Sequence, residues 1–193
     1  TLLGHLETVH VASDWNLGGL RLPVQWVNRP NRPRDASLHD FRGYSGQIAG
    51  GVLRRGQEVV TLPSGLISKV KEIWTYDGAV EEAFCPQSVT VVLEHDVDLG
   101  RGGMVIGRDQ TPGVGCDLTA RVCWMHPRAL QPGRKFLLKH TTQTVPVAVP
   151  ELLNRLDLAT LEPAAAPASL AMNDIGEIRL RTAQPLFFDA YAR

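Results

Sequence analysis

Residues 41–65 read FRGYSGQIAGGVLRRGQEVVTLPSG, and a run this rich in glycine could cradle phosphate on its backbone amides. The phosphate-loop pattern GxxxxGK[ST] is missing, no lysine follows a glycine cluster at the needed place, and the strand-to-helix context is lacking. The glycines are read instead as points where a strand bends sharply or passes close to another backbone. Ile48, Val52, Val59, Val60 and Leu62 are interleaved with Gly43, Gly46, Gly50, Gly51, Gly56 and Gly65. That excludes a flexible linker, which carries little apolar area.

Three further sets of residues could do chemistry. Glu94, Asp96 and Asp98 alternate near a strand end and could place carboxylates on one face for acid–base work or a cation. No glycine-containing calcium loop surrounds them, so a solvated strand exit is the favoured reading and a stand-alone enzyme built on the three is the weaker one. The six histidines, His5, His10, His39, His95, His126 and His140, show neither HExxH nor HxH spacing and read as surface or loop residues. In NRPNRPRDASLHD, Arg29, Arg32 and Arg34 could meet phosphate, but Asp35 and Asp40 offset them and the segment reads as a solvated loop. No nucleophile elbow or triad signature is present. No catalytic, cofactor-binding or metal-ligating residue is therefore assigned.

Lysine plus arginine equals aspartate plus glutamate at 20 each, so net charge implies no polyelectrolyte partner. Cys85, Cys116 and Cys123 form no CxxC pair and leave one cysteine over in any disulfide scheme, which favours a reducing, cytoplasmic setting. No run approaches the roughly 20 apolar residues needed to cross a bilayer, and no signal-peptide pattern opens the chain.

The elements that must position these residues are mostly short strands. Leu2, Leu3, Leu6 and Val9 recur at helical spacing and predict a short amphipathic helix, read as the last turns of an upstream domain. Leu20–Val27 predicts one strand with Leu20, Leu22, Val24 and Trp26 on its inner face. Strands follow at 46–52, 58–62, 66–74 and 88–94, with turns at 53–56, 63–65 and 77–78, an irregular stretch at 80–86, and a closing strand near Met104. Five or six short strands with no intervening helix predict an antiparallel barrel. GRDQTPGVG, 107–115, is the predicted boundary.

Beyond it, Cys116, Leu118, Ala120, Val122 and Trp124 share one face of a strand, which makes Cys116 a small core residue and points Cys123 the other way. Lys135–His140 and Thr144–Val149 predict two more strands, the second at a sheet edge because Pro146 cannot donate a ladder bond. Residues 151–161 are read as a packed crossing loop, EPAAAPAS as a surface loop, and 176–181 and 185–188 as further strands. A second barrel with so few strands would leave an open edge, so the parent chain is expected to continue. The expected organisation is a tail and linker over 1–17, a first barrel over 18–108 and an incomplete second barrel over 109–193.

Two consecutive small barrels, the first built on FRGYSGQIAGGVLRRGQEV and closing on DLGRGGMVI, resemble the second and third domains of translation-factor-like GTPases. RLPVQWVNRPN at 21–31, the run at 40–65, VKEIWTYDGAVEEAF at 70–84 and MNDIGEIRLRTAQPLFFDAY at 172–191 resemble the large, GTPase subunit of bacterial ATP sulfurylase, also found fused to adenylylsulfate kinase. The chain departs from that pattern in the loop 32–39, at Cys85-Pro86 and at Ala190. The resemblance implies a parent that uses GTP, ATP and magnesium to make adenylylsulfate, with GTP hydrolysis in an upstream domain and sulfate chemistry in a small subunit. It implies contacts of these barrels with both, and with a fused kinase where one is present. The competing expectation is a translation-factor fragment that binds aminoacyl-tRNA; neutral charge speaks against nucleic acid.

Overall fold

A computed structural model describes residues 1–9, 16–30 and 41–190. The basic loop 31–40, His10 and the last three residues lie outside the described residues. The chain divides into two compact units, Thr1–Gln110 and Thr111–Arg193.

Unit 1 begins with helix α1 (Leu2–Thr8), whose first turn is capped by Thr1: its Oγ1 accepts from the Gly4 amide at 3.1 Å. Its apolar stripe is exposed, with Leu2, Leu3 and Leu6 at 76%, 66% and 62%. The strands follow as β1 (Arg21–Pro23), β2 (Trp26–Asn28), β3 (Gly43–Gln47), β4 (Val52–Arg54) and β5 (Glu58–Leu62). They continue as β6 (Leu66–Thr75), β7 (Gly78–Val80), β8 (Glu82–Phe84), β9 (Ser88–Leu93) and β10 (Met104–Gly107). All pairings are antiparallel, in the order β1-β10-β5-β6-β9-β3-β2, with β7 on β6 and a separate β4–β8 ribbon. The two end strands, β1 and β2, are separated in the chain only by Val24 and Gln25. The sheet must therefore curl until its ends meet, which makes it a barrel.

That closure explains two differences from the sequence-based expectation. The strand expected over 20–27 breaks in two, because the Val24 amide donates to the Gly103 carbonyl and the Gln25 amide to that of Ser45, on opposite ends of the sheet. Leu20, Leu22 and Val24 stay buried, whereas Trp26 is 67% exposed rather than on the core face. The strand expected over 46–52 ends at Gln47; Gly51, at φ 75°, turns the chain before β4. A Cβ on Gly46 would fall 2.2 Å from the Pro23 carbonyl oxygen, so a backbone crossing fixes this glycine. The stretch 80–86 is not irregular: it holds β8, three residues with one buried side chain, Ala83, too short to show a period.

Unit 2 consists of β11 (Gly113–Cys123), β12 (Lys135–His140), β13 (Gln143–Leu156), β14 (Pro163–Ala164) and β15 (Ile175–Phe188). Their order is β11-β15-β13-β12, with β14 on β13, so this is an open, curled antiparallel sheet. Four expectations change here. β13 is not an edge strand. The Val149 amide donates toward the β12 side, so by alternation Pro146 points its nitrogen toward β15, whose register with β13 begins only at Val147. The missing donor therefore costs no bond. The supposed loop 151–161 is strand as far as Leu156, since register shifts at Ala148/Glu151 and Leu152/Asn154 absorb Pro150. Part of the loop 162–169 is likewise strand, as β14. A shift between Gly115 and Asp117 turns Cys116 to a half-buried position; the core cysteine is Cys85.

Candidate functional site

The carboxylates Glu94, Asp96 and Asp98 do not converge. All three are exposed beyond β9, and among the described residues only Asp96 meets cations, Arg29 at 3.4 Å and Arg42 at 3.8 Å. Arg42 also lies 5.6 Å from the ring centroid of Tyr44. Tyr44 is buried, its hydroxyl donating to the Val97 carbonyl at 2.8 Å and accepting from the Val97 amide at 3.3 Å. Burial pushes this phenol above its usual pKa, against the lowering effects of the Val97 hydrogen bond and Arg42. The pair ties the loop after β9 to β3 and is structural chemistry.

The described histidines are equally scattered. His95 shares hydrogen bonds with Ser68, at 3.4 Å from its Nδ1 to Oγ and at 3.3 Å from its amide to Oγ. His126 accepts the Arg128 amide at Nδ1, and His140 is half-buried, its pKa lowered by desolvation. Among the described residues no group of three or more His, Cys, Asp or Glu side chains could hold a metal ion. The glycine-rich segment does not fit a nucleotide phosphate or its magnesium ion. The space beside Gly46 is taken by the Pro23 carbonyl, that beside Gly51 by the Leu20 backbone, and β-strands, not a helix, follow.

Among the described residues are two surface recesses that were not read from the sequence. One, about 450 Å³, lies on unit 1 where Trp26, Trp74 and Tyr76 stand over β3 and β9, with Gln25, Gln47 and Arg101 around it. Its floor carries the Ser45 Oγ to Thr90 Oγ1 hydrogen bond at 2.8 Å. The other, about 520 Å³, lies on unit 2 between 124–129 and 134–136. Arginines interleaved with aromatics in WMHPRALQPGRKF are the signal that could have flagged the second, whereas Trp26, read on an inner face, gave none for the first. No helix among the described residues is long and apolar enough to cross a membrane.

The fold of this chain is shared by solved structures. Sup35 complexed with GDP matches with a TM-score of 0.76 over 97% of this chain and 44% of that one, at 16% identity. Translation elongation factor SelB from Methanococcus maripaludis in its apo form matches with a TM-score of 0.71 over 97% of this chain and 40% of that one, at 15% identity. Residues 117–193 match the family described as GTP-eEF1A C-terminal domain-like.

The particular kinship is carried by sequence: along its whole length the chain is homologous to part of sulfate adenylyltransferase subunit 1 and of the bifunctional enzyme CysN/CysC. It is 45% identical over 193 residues to the bifunctional enzyme CysN/CysC of Rhodopirellula baltica and 39% identical over 193 residues to sulfate adenylyltransferase subunit 1 of Bacteroides fragilis. It is 41% identical over 194 residues to the bifunctional enzyme CysN/CysC of Mycobacterium tuberculosis. All of this chain is matched in each case, and it spans 29%, 39% and 31% of those relatives' lengths.

Proposed function

We propose that this chain is the non-catalytic β-barrel region of a GTP-dependent sulfate adenylyltransferase large subunit, coupling GTP hydrolysis to the formation of adenylylsulfate and pyrophosphate from ATP and sulfate in the cytoplasm. The carrying observation is 38–45% identity over the whole chain to proteins of that name or its CysN/CysC form. The placing of 1–17 as tail and linker, 18–108 as the first barrel and 109–193 as the second follows the same reading. So do GTP, ATP and magnesium as cofactors of the parent, bound outside this segment, and the assignment of no catalytic residue here. The partners are the parent's own GTPase domain and the small subunit, with adenylylsulfate kinase added in a fused parent.

The test is association. A folded protein containing both units is expected to co-elute with the small subunit or with the isolated GTPase domain; failure to bind either contradicts the proposal. The second reading, a translation-factor segment that binds aminoacyl-tRNA, is favoured by the fold likeness to Sup35 and SelB alone, at 15–16% identity. It predicts RNA binding that weakens steeply with salt.

A further inference from the structure

We infer that the cleft on unit 2 binds a small anion that carries a planar ring, of the mononucleotide class. Its walls are Trp124 and Phe136, half-buried and edge-to-face with ring centroids 5.5 Å apart, and its rim carries His126, Arg128, Arg134 and Lys135. No carboxylate lines it.

Charge pairing singles this place out. Of the six described arginines in unit 2, four pair with carboxylates: Arg121 with Glu177, Arg155 with Asp174, Arg179 with Glu151 and Arg181 with Asp117. Among the described residues, Arg128 and Arg134 have no such partner, and both stand on this cleft beside Lys135. Two guanidinium forks and an ammonium held around an acid-free recess favour an oxyanion, and the apolar walls favour a ring on the same molecule.

The cleft is held before any ligand arrives. Trp124 Nε1 donates to the Arg128 carbonyl at 2.8 Å, and the Arg128 amide donates to His126 Nδ1 at 3.0 Å. Leu130 exchanges backbone hydrogen bonds with Leu170 at 2.8 and 3.0 Å, and the Gly133 amide donates to the Val149 carbonyl at 2.8 Å. Gln131 Oε1 accepts from Arg134 at 3.3 Å and aims that guanidinium. A volume of about 520 Å³ suits one small molecule. A recess built from two short segments is small for a protein partner, which needs an interface of about 1,000 Å².

The test is ¹⁹F NMR of the whole protein labelled with 5-fluorotryptophan, the Trp124 resonance being assigned by its loss in Trp124→Phe. Adenosine 5′-phosphate is expected to shift that resonance saturably in the millimolar range or below. Adenosine and inorganic phosphate are each expected to act more weakly, separating the ring from the anion. Arg128→Gln with Arg134→Gln is expected to weaken the response at least about tenfold, as loss of charge-assisted bonds requires. Lys135→Gln, outside the 124–134 loop, repeats the test should the double variant displace the Trp124 resonance before any ligand is added. A Trp124 resonance unmoved by adenosine 5′-phosphate overturns the inference, as does an unchanged response in the variants or one to phosphate alone of equal strength. A shift produced only by RNA or by an acidic peptide also overturns it, assigning the cleft to a macromolecule.

Discussion

Unit 1 closes its sheet and unit 2 leaves it open, and the difference shows in what each buries. The main core of unit 1 runs from Leu20 through Tyr44, Ile73 and Val91 to Val105, nearly all of it inaccessible. The core of unit 2 is a smaller set around Leu130, Val147, Leu152, Leu170 and Ile178, with Leu118, Val122, Phe136 and Leu138 only half covered. Closure turns every inward side chain of a barrel toward the same interior, whereas in an open sheet the strands at the ends cover each other less. Unit 1 thereby holds the larger fully buried core, and more of the apolar side chains of unit 2 stay only partly covered.

The sharpest way to break this contrast is Gly46→Ala. Its Cβ would meet the Pro23 carbonyl oxygen at 2.2 Å, where both partners are backbone of the closing strands. A loss of about 3 kcal/mol or more is expected in urea unfolding of unit 1, with little change in unit 2. Next comes a matched pair of truncations. Ile73→Ala in the closed core should cost about 2–5 kcal/mol. Leu138→Ala, half covered in the open sheet, should cost about 1 kcal/mol, in line with its smaller buried area. Equal losses at the two sites would remove the distinction.

A smaller effect reads the barrel's polar tie. The phenol of Tyr44 has its pKa raised by burial, so the folded state holds this proton more tightly than the unfolded chain. The resulting stability is present below the unfolded pKa of about 10 and is lost as pH rises through the folded value. Alkaline unfolding of unit 1 should therefore steepen above about pH 10. Tyr44→Phe should flatten that slope while lowering neutral-pH stability by about 1 kcal/mol for the lost hydrogen bonds. Smallest of all is Asp96→Asn, expected to change stability by no more than about 1 kcal/mol because Asp96 and Arg29 are both exposed.

The same contrast governs how much was legible in the sequence. In the closed unit, β5, β6 and β9 declare themselves by alternation, and the turn at 63–65 by Pro63 and Gly65. What escaped was the break at Val24 and Gln25, because a change of hydrogen-bonding partner leaves no mark on periodicity. In unit 2, Pro146 and Pro150 spoke against a long internal strand, yet the late start of the β15 register and two bulges accommodate them. Tertiary pairing overrode a local signal that was sound in itself. The surface recesses were invisible for a related reason: Trp124 read as one more residue on an apolar strand face, and only the fold brings Phe136, Arg128, Arg134 and Lys135 around it.

The central claim is that this region couples and does not catalyse. Its most direct test is the number of GTP molecules hydrolysed per adenylylsulfate formed, measured in the full-length parent with these two units replaced by the matching barrels of a translation factor. The replacement keeps the fold and removes the surface particular to the sulfate adenylyltransferase relatives. GTP hydrolysis that persists while adenylylsulfate formation ceases to depend on it is the predicted result. An unchanged ratio would contradict the claim.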